Sequence, residues 1–509
     1  MTDLLYHGAD WSYDTIQRVY DAVETIAVGE MGLQVYPNRI EVITSEQMLD
    51  AYASSGLPIF YGHWSFGKRF ATQEEVYRKG WSNLAYEIVI NSNPCISYIM
   101  EGNSATMQTL VIAHAAFGHN HFFRNNQIFQ EWTDAAGILN YLEYAKTYVA
   151  HCEERYGEIA VERLLDAAHA LMDQGVHRSP RRRHDLKSEQ AKWRERRRYA
   201  EASYNELWRT LPPSSKPARP VIAEINAKLN LPEENLLYFL EKFAPRLKPW
   251  QREIIRIVRL MGQYFYPQRQ TKVMNEGAAT YTHYVILNRL HEKGLINDGA
   301  YLEFLTSHTN VVSQPTFEDR RYSGMNPYSL GFAMMRDLER IAVDPTAEDR
   351  DWFPEIAGRG DPIGALRQIW ADYRDESFIS QYLSPRLIRE FRLFHLVDDP
   401  AEAELRVDAI HDERGYRRVR RALAREYDLS RTDPAIEVVA VDFEGDRRLI
   451  VHHNVVEGRM LSAAACAKVV QHLANLWGYD VLLKEIDGSG DSIKEFDAEP
   501  EGAFAIGSQ

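Results

Sequence analysis

Two segments that otherwise read as helix carry polar, metal-capable side chains where a buried helix needs apolar ones. One is His114-Ala-Ala-Phe-Gly-His119-Asn-His121, the other Asn275-Glu276-Gly-Ala-Ala-Thr-Tyr-Thr-His283. A helical core tolerates such groups only when they are paired with one another or with a cation, so the two segments constrain which helices meet. A helix advances about 100° per residue. Glu276 and His283 therefore share a face two turns apart, with the small residues Ala279 and Thr280 between them, where a second helix or a substrate has room to approach. His114 and His121 also share a face. His114 and His119 stand about 140° apart on an ideal helix and converge only across a π-bulge or a break near Gly118.

This spacing is not the His-Glu-x-x-His of a zinc peptidase, because Ala115 stands where that motif has its glutamate. The Asn275-Glu276-Gly277 string resembles the segment that supplies the third, glutamate ligand in gluzincin-type peptidases. On that reading Glu276 is a ligand and the water-activating base comes from elsewhere, with Glu87 and Glu101 as candidates beside apolar segments that lead toward the histidines. A three-ligand site with an open position makes a nucleophile of its bound water. The competing reading is a polar network satisfied within a helical core. His63, in Tyr61-Gly-His-Trp-Ser, and His308, in Ser307-His-Thr-Asn, read as loop residues lining a pocket, as do Asp134 and the Tyr322–Tyr328 string. No P-loop, strand-linked dinucleotide fingerprint or nucleophile elbow is present, which argues against a nucleotide fold and a serine hydrolase.

A chain of 509 residues predicts two or three domains. Its net charge of −14 argues against nucleic acid or an anionic membrane as partner. Cys95, Cys152 and Cys466 are too few and too scattered for a disulfide framework or a Cys-x-x-Cys metal site. With no signal peptide and no run of about 18 apolar residues, the expected location is the cytoplasm.

The expected fold class is α+β. Residues 1–400 read as a large, mainly helical, zincin-like domain with a charged, Arg-rich insertion at about 178–220. Helical periodicity covers 11–28, 104–123, 131–153, 158–174, 233–241, 249–265, 271–293 and 298–306, with an ordered loop at 307–332 and a strand at Glu87–Asn91. Residues 401–487 predict a ferredoxin-like βαββαβ domain: strands at 405–410, 436–441, 448–452 and 480–485, a basic helix at 416–427, and a helix from Ser462 to Trp477 stopped by Gly478. The acidic, glycine-rich tail, 488–509, reads as disordered.

Several strings carry a family resemblance. Tyr61-Gly-His-Trp-Ser-Phe-Gly-Lys68, Tyr86-Glu-Ile-Val-Ile-Asn-Ser-Asn-Pro94, Val111-Ile-Ala-His114 with Gly118-His-Asn120, and Tyr264-Phe-Tyr-Pro-Gln-Arg-Gln270 are similar to the stage V sporulation protein R (SpoVR) family. So are Val273-Met-Asn-Glu-Gly277, His308-Thr-Asn-Val-Val312 and Tyr322-Ser-Gly-Met-Asn-Pro-Tyr-Ser-Leu-Gly331. The resemblance implies a link to the spore cortex, a peptidoglycan layer, or to stress responses in bacteria that do not sporulate. It also implies a PrkA-type serine kinase and a von Willebrand-like protein as partners. His63, Glu87, Asn91, Asn93, His114, His119, Asn120, Glu276, His283 and His308 match the family pattern; His121 departs from it. Ala278 stands where the family carries an aromatic residue. The expected site thus has His114, His119 and Glu276 holding a divalent metal such as zinc. Glu87, Glu101 and His283 are its catalytic candidates, and His63, Asn91, Asn93, Asn120 and His308 line the pocket. The expected activity is metal-dependent hydrolysis of an amide bond; the alternative is a non-catalytic scaffold in a kinase-linked stress complex.

Overall fold

The helix Lys272–Glu292 is buried almost all round its first three turns, from Val273 to His283. A helix with no solvent face must lie at the centre of other elements. Here the Ile112–His119 segment packs on one side and the helix Pro327–Val343 on another. Small residues set how near these backbones come. A Cβ added at Gly277 would lie 2.6 Å from the Cα of Gly331, and one added at Gly118 would lie 2.6 Å from the Cα of Ala279. Asp375 caps the central helix from a distance, its carboxylate accepting the N–H groups of Val273 and Met274 at 2.8 Å each.

The structure is a computed structural model that describes residues 4–53, 61–63, 87–178, 229–394, 396–397, 402–404, 406–407, 412–442 and 445–501. Most of the Arg-rich insertion, and the Tyr61–Lys68 string beyond 61–63, lie outside the described residues. The chain divides into two compact units, Met1–Asp166 with Leu260–Asp433, and Ala167–Arg259 with Pro434–Gln509.

The first unit adds a small sheet to its helices. Strand β1 (Asn38–Ile43) pairs in parallel with β3 (Cys95–Met100), and β2 (Glu87–Ile90) pairs antiparallel with β3 on its other side. The first helical segment, Tyr13–Glu24, is capped by Ser12 and buries Ile16, Val19 and Val23. His308, read as a loop residue, lies in the last turn of the helix Asp298–Val311, which runs five residues past its expected end.

Two expectations for the C-terminal region are corrected. Of the strand expected at 405–410, the described residues are Arg406–Val407 (β5), which pair with β4 (Leu396–Val397) and are exposed. The basic helix, Glu413–Glu426, packs on the helix Asp375–Tyr382 of the first unit. It is held there by the Arg420 guanidinium, which donates to Leu383 O at 2.9 and 2.7 Å and lies over the ring of Trp352. A helix read simply as basic thus contains a buried cation that needs carbonyl partners.

The second unit's sheet runs β6 (Ala435–Val441), β7 (Leu449–Asn454), β8 (Val481–Ile486), β9 (Ser492–Ala498). β6 and β7 form a hairpin, and β7 connects to the parallel β8 through the helix Ala463–Trp477, which ends at Gly478 with φ +85°. Among the described residues the sheet is therefore four strands crossed by one helix rather than βαββαβ. β9 falls within the tail expected to be disordered. It is an edge strand whose outward face carries Ile493, Glu495 and Asp497, with Lys484 of β8 and Glu495 paired at 2.8 Å, and its charge suits that exposed position. The middle segment joins this unit through a bridge between Glu233 and Val438 and the stacking of Phe239 on Trp477 at 5.7 Å. Among the described residues no helix is long and apolar enough to cross a membrane.

Candidate metal centre

Strand alternation aims Glu87. Ile88 and Ile90 are buried in a side cluster with Met48 and Leu142, while Val89 packs on the opposite face against the main helical core. Glu87, two residues before Val89, shares that face.

The histidine pair is brought together by the backbone. Ile112–His119 is a π-helix, and the Asn120 N–H bonds back five residues to Ala115 O. Bonding to the fifth residue widens the turn, so residues five apart fall on one face. The rings of His114 and His119 accordingly meet at 4.6 Å between centroids, nearly perpendicular.

The convergence point is defined by Nε2 of both rings. Glu276 Oε2 is 3.5 Å from His119 Nε2 and 3.7 Å from His114 Nε2, and Glu87 Oε1 is 3.6 Å from His114 Nε2. Among the described residues, Glu87, His114 and His119 form a group whose donor atoms all lie within 4.8 Å of one another. These separations are long for hydrogen bonds. They match a cation instead: ligand atoms about 2.1 Å from a tetrahedral ion stand about 3.4 Å from each other.

The outer nitrogens are already committed. His119 Nδ1 is 2.9 Å from Asn275 Oδ1. A carbonyl oxygen only accepts, so Nδ1 carries the proton and Nε2 presents a lone pair to the site. His114 Nδ1 is 2.9 Å from His283 Nδ1, and His283 Nε2 is 3.0 Å from His308 Nδ1. Glu276 Oε2 is buried with no hydrogen-bond partner. Two imidazole nitrogens and a partnerless carboxylate oxygen are a donor set that fits a zinc-like ion.

Electrostatics favour this arrangement at Glu276 and His119, and at His114 they favour the proton that a cation would have to displace. Burial disfavours the Glu276 anion, yet His119 and His114 hold its carboxyl below the usual range. Burial lowers His119 to about 4, keeping it a neutral donor. Burial also works against an imidazolium at His114, but Glu276 and Glu87 outweigh it and raise its pKa. Burial raises Glu87.

The other candidates lie elsewhere or play other parts. Glu101 is exposed in the turn after β3, its N–H bonded to Ile43 O, so it does not join the site. His63 is buried with Nε2 3.3 Å from Asp166 Oδ1. Asn120 ties the chain ahead of β1 to the helix, its amide bonded to Tyr36 and Asn38. Asn91 donates to Thr133, and Asn93 is exposed in the β2–β3 turn. His121 Nδ1 faces Gln34 at 2.9 Å, on the far side of the helix from the site. Asp134 accepts from the Gly137 N–H at a helix start.

The sequence model of a family described as "SpoVR like protein" matches residues 10–432, and that of the "SpoVR-like C-terminal domain" matches 434–488. The chain belongs to the SpoVR family. An Escherichia coli (strain K12) relative, "Uncharacterized protein YcgB", is 49% identical over 490 residues, covering 96% of this chain and 95% of its own. No solved structure matches.

Three further residues of this SpoVR-family chain bear on the site, and of them sequence reading had singled out only Tyr328, as part of a pocket-lining string. Asn275 sets the His119 tautomer, Asp375 caps the helix that carries Glu276, and the Tyr328 hydroxyl helps hold the Glu276 carboxyl low. Asn275 and Tyr328 both stand in strings that carry the family resemblance. Asp375 gave no signal, because its partners are backbone groups about a hundred residues away in the chain.

Proposed function

We propose that this chain is a metal-dependent hydrolase of amide bonds, with His114, His119 and Glu276 as ligands of a divalent cation such as zinc. The observation that carries the reading is the spacing of Glu276 Oε2, 3.5 and 3.7 Å from two imidazole nitrogens whose other nitrogens are bonded away from the site. Its elements are those of a zincin-like centre, two histidines from one helix and a glutamate from a second, with a π-turn in place of the usual four-residue spacing. A bound cation would polarise the scissile carbonyl and acidify a water. Glu87 is the general base: its carboxyl, raised by burial, takes the water's proton at Oε1 and returns it to the leaving nitrogen. Asn275 and Tyr328 keep His119 and Glu276 in their productive forms. The spore-cortex association implied by the family extends the proposal to amides of the peptidoglycan kind.

The test is metal content after gentle purification. Wild type is expected to hold about one ion per chain, and His114→Ala and Glu276→Ala to lose it. Substoichiometric metal in wild type overturns the proposal.

A further inference from the structure

Behind the centre, three buried imidazoles stand in line. His114, His283 and His308 are 4%, 1% and 5% exposed, so bulk solvent is largely shut off from them. Both nitrogens of His283 are engaged, Nδ1 with His114 Nδ1 at 2.9 Å and Nε2 with His308 Nδ1 at 3.0 Å. A neutral imidazole has one donor and one acceptor nitrogen, so the direction of one bond dictates the direction of the other. With the His114 Nε2 lone pair facing the centre, His114 Nδ1–H donates to His283, and His283 Nε2–H donates to His308. In the opposite direction His308 donates to His283 and His283 to His114. That leaves His114 with its proton on Nε2, pointing at Glu276 and Glu87 and closed to a cation. The walls around His308 are aromatic: Phe332 lies 4.6 Å and Tyr284 5.1 Å from its ring, which hold it in place.

We propose that His283 and His308 are positioning residues that form a two-bond relay selecting the metal-binding tautomer of His114. The inference rests on the metal centre proposed above and adds to it how that centre is set. Ligand histidines ordinarily hand their second N–H to a carboxylate, carbonyl or water. Here the acceptors are the Ala279 backbone carbonyl and another histidine, and the histidine accepts only while its own proton has somewhere to go. His308 is that place. Replacing it with an apolar side chain strands a buried N–H on His283, and the cheaper arrangement moves that proton to Nδ1 and reverses the bond to His114.

The experiment is zinc affinity by chelator competition in the full chain. His308→Leu is expected to bind about 10–100-fold more weakly than wild type, the range for loss of an outer-shell partner. His308→Asn, whose side-chain carbonyl oxygen can accept where Nδ1 did, is expected to stay within about threefold. His283→Asn accepts from His114 whatever stands at 308, so adding His308→Leu to it should cost nothing further. The relay is overturned if His308→Leu binds as tightly as wild type. Equal losses in His308→Leu and His308→Asn, or a further loss in the double variant, also overturn it, because packing alone would produce them. Any of these results with zinc still bound to wild type leaves the metal centre standing. A wild type that holds no zinc overturns both.

Discussion

Asn275 shows how a side chain outside the histidine–glutamate cluster can set its chemistry. Its Oδ1 fixes one proton on His119, and that proton decides whether the ring can serve as a ligand at all. Asn275→Leu should weaken zinc binding about 10–100-fold, whereas Asn275→Asp, which still accepts, should preserve it; chelator competition distinguishes the two. At this scale the sequence was partly legible. Helix arithmetic put Glu276 and His283 on one face, and both turn toward the histidine segment. The family pattern favoured His119 over His121, and the rings follow it: His119 meets Glu276 while His121 bonds the Gln34 backbone. Glu101 misled because adjacency to an apolar strand says nothing about which way the following turn exposes a side chain. His308 misled because polar residues late in a helix resemble a loop.

Elements decide whether those residues meet. The His114–His119 pair required a bulged or broken helix at Ala115–Gly118, and the backbone meets that condition with a continuous π-helix rather than a break. Gly118 lets this segment lie against Ala279. Gly118→Ala puts a Cβ 2.6 Å from a backbone Cα, and should cost about 1–3 kcal/mol in urea unfolding while loosening metal binding. A second element contact is set by pH. Arg340, on Pro327–Val343, holds both oxygens of Asp349 at 2.7 and 2.9 Å and fastens the short helix Ala347–Trp352. Burial opposes the charge, but Arg340 and Thr346 take the Asp349 carboxyl from its ordinary 3.8 down to about 2. A depressed carboxyl stabilises the fold above its unfolded pKa and loses that contribution as pH falls toward the folded one. Between pH 5 and pH 2.5 the wild type's thermal midpoint should therefore fall by more than that of Asp349→Asn, which lacks the titrating group.

On the scale of the whole molecule, strand and helix periods located most segments, including three strands of the C-terminal sheet, but not the partition of the chain. Nothing in local pattern says that 167–259 belongs with 434–509, because the bond between them is a strand bridge at Glu233 and a stacked Trp477. Nor does an acidic tail announce that it closes a sheet edge. Truncation after Asp491 removes β9 and should lower the melting midpoint, yet leave metal content unchanged, since Glu87, His114, His119 and Glu276 all belong to the first unit. The discontinuity also imposes a schedule on synthesis. His119 leaves the ribosome about 150 residues ahead of Glu276, a delay of about 8–30 s at about 5–20 residues per second. During that interval the histidine segment exists without the helix that buries it, while the chain is extended through part of the other unit. The proposed metal centre would thus be a late product of translation, and an ion with access only to the nascent N-terminal portion would meet the histidines without Glu276.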